Sequence, residues 1–323
     1  MLVVGPSWVG DMVMAQSLFR LLVGRRPDRP VDVLAPGWSL PILARMPEVR
    51  EAIEMPAGHG ELRFGDRRRL GRTLRARGYA QAIVLPRSLK AALVPWFARI
   101  PRRTGFRGEQ RYGLINDMRP FDAAVLDQTV KRFVALGLEP DESLPDELPR
   151  PRLRVDAARR TDALERLGLD PTAEPVAFMP GAEYGPAKCW PLEYYGELAA
   201  RLRERGHAVW VFGSPKDAGA ARAIAQVAPV EDLCGRTTLE EAIDLLTPAA
   251  VMGSDEDAME GLRTAHAGIG EGRREFADFL WSERQRLARP VDDFSLADYD
   301  GRMRDFSALS DGKVTLLAFW FPT

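Results

Sequence analysis

One carboxylate, Asp11, lies in residues 3–22, VVGPSWVGDMVMAQSLFRLL, where a glycine-bearing loop enters a helical pattern. A carboxylate there can take the proton of a reacting hydroxyl. The free N–H groups and the dipole of the helix start favour anions beside it. A second candidate is Lys188 in residues 181–191, GAEYGPAKCWP, between a strand end at Pro180–Gly181 and the next helix. A loop of that kind can neutralise a diphosphate leaving group, although a Gly/Lys loop alone is a weak signal. A third passage, PRSLKAALVPWFARIP, places Ser88 where it could cap a helix and Lys90 in that helix's first turn. The two cysteines, Cys189 and Cys234, and the three histidines form no metal-ligand spacing, so no metal site is assigned. His59 and His207 read as turn residues, and His266 is assigned nothing.

The elements that must position these groups alternate. Residues 3–4 end a strand, and Met14, Leu18, Leu21 and Leu22 recur at helical spacing after it. Residues 31–34 (VDVL), 49–55 and 82–85 (AIVL) read as further strands, with a short helix at 40–45. Residues 61–77 are strongly basic and read as a helix, either a solvated face or a cradle for an anionic, phosphorylated acceptor. Alternation of this kind predicts a doubly wound parallel sheet, which binds ligands at the carboxyl ends of its strands. Asp11, Ser88, Lys90 and Arg107 then share one rim.

Residues 138–156 are rich in proline and acid and read as an interdomain linker. A second set of units follows: helices at 157–167, 192–205, 215–228 and 239–246, and strands at 176–179, 208–212 and 249–252, with a third unit starting at 233–235. The expected division is 1–150, 151–255 and a divergent tail, 256–323.

Net charge is −1 and hydrophobic content 46%, an ordinary globular balance without a general attraction for nucleic acid. No apolar run approaches a membrane span, and two cysteines fit a reducing compartment; a cytoplasmic protein is expected. No G-x-G-x-x-G opens the first sheet, which disfavours a dinucleotide-dependent oxidoreductase.

The strings GPSWVGDMVMAQSL, LARMPEVREAIEMPAGHGEL, RRTGFRGEQRYGLINDMR and MPGAEYGPAKCWP closely resemble the bacterial lipopolysaccharide heptosyltransferase II family over about residues 1–250. The resemblance implies an α/β fold of the GT-B type, two Rossmann-like domains facing a cleft. It implies inverting transfer of heptose from ADP-heptose to the first heptose of the lipopolysaccharide inner core. The acceptor, heptosyl-Kdo2-lipid A, would be met at the inner face of the inner membrane by a peripheral enzyme. No cofactor beyond the ADP-heptose donor is implied. Asp11 falls at the general base and Lys188 beside the donor diphosphate. Donor contacts are expected at Gly10, Gly181, Lys188, Ser214 and Lys216, and acceptor contacts at Trp8, Ser88, Lys90 and Arg107.

The chain departs from that family in three places. Lys188-Cys189-Trp190-Pro191 stands where Lys-Arg-Trp-Pro is expected, and Arg87 where asparagine is usual. After residue 250, MGSDEDAMEGLRTAHAG replaces the family's Asn-Asp-Ser-Gly-x-Met-His, which puts Asp257 and Glu260 where like charge would repel a diphosphate. An incomplete second domain is therefore expected. The tail, with a helix at 276–289 and VTLLAFW at 314–320, resembles the opening of a thioredoxin-like domain without its cysteine, as in a fused or truncated reading frame. Three readings stay open: an active transferase, a non-catalytic inner-core sugar-binding or inactive remnant, and a redox or interaction module carried by the tail.

Overall fold

The computed structural model describes residues 1–56, 61–173, 175–182, 189–246, 250–253, 295–297 and 303–305. The chain forms two compact units, Met1–Ala157 and Ala158–Thr323.

The first unit is built on six parallel strands: β1 (Leu2–Val4), β2 (Val31–Pro36), β3 (Val49–Met55), β4 (Gln81–Val84), β5 (Arg102–Phe106) and β6 (Asp117–Arg119). Their spatial order is β3-β2-β1-β4-β5-β6, every neighbouring pair parallel. The chain fills one side outward from β1, then returns to β4 and fills the other. The order therefore reverses between β1 and β4, where a crevice opens beyond the strand ends in doubly wound sheets.

Both central strands are apolar apart from Gln81, which opens β4, because helices cover both faces. On one face Leu2, Val4, Ala82 and Val84 pack with Leu74 of α3 (Phe64–Leu74) and with Ala91, Ala92 and Val94 of α4 (Leu89–Phe97). Elsewhere Leu21 of α1 (Val9–Arg25) packs with Val134 of α5 (Thr129–Leu136).

β5, β6 and α5 add to the elements expected from the sequence. In β5, RRTGF, arginines occupy positions where apolar alternation would mark a strand. Arg102 instead pairs with Asp117 at 2.8 Å and Glu139 at 2.9 Å, and Arg103 donates to the carbonyls of Leu114 at 2.6 Å and Ile100 at 2.5 Å. Side chain–backbone stapling holds an edge that hydrophobic patterning does not announce. The acid- and proline-rich residues after 138 contain no helix or strand up to Asp156. They are tied to the first unit: Arg152 N–H donates to Gln16 Oε1 at 2.7 Å, Gln16 Nε2 returns a bond to the Arg152 carbonyl at 2.9 Å, and Arg154 N–H donates to the Arg45 carbonyl at 2.8 Å. The first unit thus runs past the expected boundary at 150 to Ala157.

The second unit carries α6 (Ala157–Leu167), β7 (Val176–Met179), α7 (Leu192–Glu204), β8 (Val209–Val211), α8 (Ala218–Ala225), β9 (Glu231–Asp232), α9 (Leu239–Leu246) and β10 (Ala250–Gly253). Its four strands are parallel in the order β10-β7-β8-β9. Gly168, at φ +69°, supplies the left-handed residue that ends α6. The third strand lies at 231–232, two residues before the expected start, and Leu233 is fully buried in the turn after it. A short antiparallel pair, β11 (Ser295–Ala297) with β12 (Met303–Asp305), is described further on. The expected helix at 276–289, the strand at 314–320, Asp257, Glu260, His59, His266 and Lys188 lie outside the described residues. No described helix is long and apolar enough to cross a membrane.

Candidate active site

A cavity of about 510 Å³ opens in the first unit at the carboxyl ends of β1 and β4. Its floor is Val4, Gly5 and Pro6 from one strand end and Leu85 and Pro86 from the other. The sheet ladder continues into that floor: Gly5 N–H bonds the Leu34 carbonyl at 2.9 Å, and Leu85 N–H bonds the Val4 carbonyl at 3.1 Å. Gly5 leaves room for a buried methionine. A Cβ there would sit 2.6 Å from the Met12 methyl, which packs down from α1 onto the turn.

Trp8 ends the loop in extended conformation, and its carbonyl accepts the Met12 N–H at 2.9 Å, the first bond of α1. Trp38 Nε1 pins the loop by donating to the Ser7 carbonyl at 2.9 Å. Asp11 follows in the first turn of α1, half-buried, and lines the cavity with Trp8. The helix N-terminus favours negative charge at that place.

The opposite wall comes from the start of α4. Ser88 holds the cap position there without a side-chain cap bond. The capping expectation for Ser88 is corrected: Glu109, reaching over from the segment after β5, accepts the Leu89 N–H at 2.8 Å. Glu109 N–H in turn donates to the Arg87 carbonyl at 3.1 Å. Gly108 makes this crossing possible, since a Cβ there would overlap the Arg87 carbonyl.

Arg111 fastens the same corner from inside. It is 1% exposed and donates to the carbonyls of Pro86 at 2.6 Å, Phe106 at 2.6 Å and Ser88 at 3.4 Å. Burial pushes its guanidinium down to about 10, which leaves it charged at neutral pH. Its Nε has no hydrogen-bond partner among the described residues.

Cations outnumber acids around the cavity. Arg67, Arg87, Lys90 and Arg132 line it against Asp11 and Glu109. Arg67, 4% exposed, is held by the carbonyls of Leu62 at 2.6 Å, Glu61 at 3.3 Å and Lys90 at 3.4 Å and by Met55 Sδ at 3.2 Å. All of these partners are neutral, and burial lowers the guanidinium's pKa. Arg87 and Arg132 stack over the Phe121 ring at 5.0 and 5.5 Å, and Arg132 Nε donates to the Leu126 carbonyl at 2.8 Å.

The structure thus brings Asp11, Ser88 and Lys90 of the expected strand-end rim to one cavity, and Trp8, named through the family resemblance, lines it with them. Arg107 is exposed and does not line it; its carbonyl accepts from Arg87 Nε at 3.1 Å. Gly10 is exposed on the first turn of α1, also outside the lining. Arg67, Glu109, Arg111 and Arg132 were not singled out from sequence. Arg67 was hidden in the basic run, where its inward turn has no composition signal.

In the second unit, Gly181 after β7 and Gly213 after β8 both abut the Asp217 side chain, so a Cβ at either would overlap it. The Asp217 carboxylate accepts from Ser214 N–H at 2.7 Å and Ser214 Oγ at 2.8 Å in a capping box. Gly181 and Ser214 therefore meet around one carboxylate, and Lys216 is exposed in the same turn. Trp190 packs edge-on against Tyr195 with centroids 4.9 Å apart, fixing the start of α7. Burial pushes the Cys234 thiol up to about 12, outside the range of a working nucleophile. Among the described residues no cluster of His, Cys, Asp or Glu gathers that could hold a metal ion.

The model of glycosyltransferase family 9 (heptosyltransferase) matches residues 67–256. Lipopolysaccharide heptosyltransferase 2 of Escherichia coli (strain K12) is 45% identical over 270 residues, 80% of this chain and 78% of that protein. Lipooligosaccharide heptosyltransferase 2 of Haemophilus influenzae is 45% identical over 276 residues, 80% of this chain and 78% of that protein. A solved structure described as E. coli ADP-heptose lps heptosyltransferase II superposes with a TM-score of 0.73 at 42% identity, covering 81% of this chain and 80% of that one. The fold is α/β of the GT-B type, and each unit carries a Rossmann-like parallel sheet. Sheet order, the cavity at the switch point and these matches converge: the chain is a glycosyltransferase and belongs to glycosyltransferase family 9, the heptosyltransferases.

Proposed function

We propose that the chain moves heptose from ADP-heptose to the first heptose of the lipopolysaccharide inner core, with inversion, at the inner face of the inner membrane. The observation that carries the reading is Asp11, in the first turn of α1, lining the switch-point cavity. The acceptor hydroxyl oxygen attacks the anomeric carbon, the bond from that carbon to the ADP oxygen breaks, and the hydroxyl proton passes to Asp11. ADP leaves as the diphosphate anion. The cationic lining of Arg67, Arg87, Lys90 and Arg132 suits an acceptor that carries negative charge. Gly181 and the Ser214–Asp217 turn, with Lys188, are assigned to the donor, and no metal or further cofactor is invoked.

The test is ADP release in the presence of the heptosylated acceptor. Asp11→Asn should lower kcat by about 10²–10⁴-fold with little change in donor KM. A variant with normal turnover would remove Asp11 from the role of base. Absence of ADP binding to the wild-type chain in calorimetry would favour the sugar-binding reading instead.

A further inference from the structure

We propose that the outer face of α3 and α4, with Leu62, Phe64 and Trp96 amid Arg68, Arg72 and Arg99, docks on an anionic phospholipid bilayer. Leu62, Phe64 and Trp96 are 52%, 50% and 44% exposed. Phe64 and Trp96 both lean edge-on against Phe97, with centroids 5.3 and 4.8 Å away, so the rings form one patch, and Leu62 stands two residues before Phe64 in the chain.

The helix is amphipathic in an unusual sense. Its inward stripe is Arg67, Gly71 and Leu74, all buried. Gly71 lets the two helices touch, since a Cβ there would lie 2.5 Å from Phe97 Cβ. The outward stripe is Arg68, Arg72 and Arg75, all exposed and spaced four and three residues apart. Asp66 is bound to Arg63 at 2.7 Å and Arg69 at 3.0 Å. Arg68, Arg72 and Arg99 have no acidic partner among the described residues. Arg75 Nε donates to the Phe97 carbonyl at 2.7 Å, which ties the outward arginine stripe to the aromatic patch.

Strain marks the same place. Arg63, at φ +37°, and Arg99, at φ +56°, are the non-glycine residues with positive φ among those described. One precedes Phe64 and the other follows Phe97 by two residues. Both strained arginines therefore flank the aromatic patch.

Guanidiniums bind lipid phosphates while Trp, Phe and Leu enter the headgroup–acyl boundary. A net charge of −1 argues against a polyanion drawn to the chain as a whole. Arg67 and Lys90, on the inner sides of the same two helices, line the cavity. Docking here would hold the unit that carries the cavity at the same lipid surface as a lipid-borne acceptor; that consequence rests on the proposed function, the surface itself does not.

Flotation of the full chain with vesicles tests the proposal. Vesicles of phosphatidylcholine with phosphatidylglycerol should carry the protein, and phosphatidylcholine alone should carry it poorly. Arg68→Glu with Arg72→Glu, and separately Phe64→Ser with Trp96→Ser, should weaken flotation by about tenfold or more. Circular dichroism and ADP release with an acyl-free acceptor should stay at wild-type levels. Wild-type protein that does not float with the anionic vesicles, or variants that float equally well, would overturn it. So would retention of a model RNA in preference to vesicles. Asp11→Asn should float like wild type, so failure of the transfer reading and failure of this one give different results.

Discussion

At the scale of single residues, buried arginines do the positioning around the cavity. Arg111 bridges three carbonyls from two strand ends and carries its charge into a dry corner. A lysine keeps the charge but cannot span that fork. Arg111→Lys should raise the acceptor KM by about tenfold and leave the ADP affinity unchanged, as read by steady-state kinetics and calorimetry. A purely structural role would weaken acceptor and ADP binding together. Asp117 makes a pH prediction. Burial alone would raise its pKa, but hydrogen bonds from Arg119, Arg102 and Thr104 outweigh burial and hold the carboxyl at about 2. A carboxyl depressed on folding contributes stability above its unfolded pKa, and that contribution is lost as pH falls through the folded value. Asp117→Asn should therefore cost about 2 kcal/mol at pH 7 by urea unfolding, and the gap to wild type should close between roughly pH 4 and pH 2. Neither role was legible in the sequence. Periodicity locates apolar side chains, whereas an arginine's direction depends on which carbonyls the fold brings to it.

At the scale of elements, legibility followed burial on both faces. The β1–loop–α1 passage could be read because a strand with two covered faces is a continuous apolar run, and its helix repeats apolar residues at 3.6. β7, α6 and α9 match their expected limits for the same reason. β5 and β6, on the far side of the sheet from β1, are held by arginine–carboxylate and arginine–carbonyl bonds and lack that pattern. Ser88 shows a related failure. A serine before a helix predicts a cap, yet a glutamate 20 residues away takes the donor because Gly108 lets its segment come close. Gly108→Ala should push that segment off the Arg87 carbonyl and remove the Glu109 cap from α4. The expected result is a lower melting temperature, about 1 kcal/mol from the lost cap with a further cost from the clash, and a raised acceptor KM. An unchanged melting curve would show that the segment adjusts freely.

At the scale of the molecule, each unit has its own parallel sheet and its own core, and the candidate groups divide between them. The first unit holds Asp11, the cationic lining and the exposed aromatic–arginine face. The second holds the Gly181–Ser214–Asp217 turn. If donor and acceptor are sorted in that way, each ligand should quiet the amides of one unit only. With ADP at about 100 times its Kd, binding stabilises the liganded state by about 2.7 kcal/mol, enough to slow exchange through local opening roughly a hundredfold. Hydrogen exchange read by mass spectrometry should then show ADP protection in peptides covering 176–182 and 211–219. An acyl-free acceptor should protect peptides covering 4–12 and 85–91. The assignment is sharp because Gly5 to Asp11 and Gly213 to Asp217 are both glycine-bearing turns at strand ends, and either could hold an anion on local chemistry alone. ADP protection at 4–12 with none at 211–219 would exchange the two roles and make Asp11 a neighbour of the leaving group.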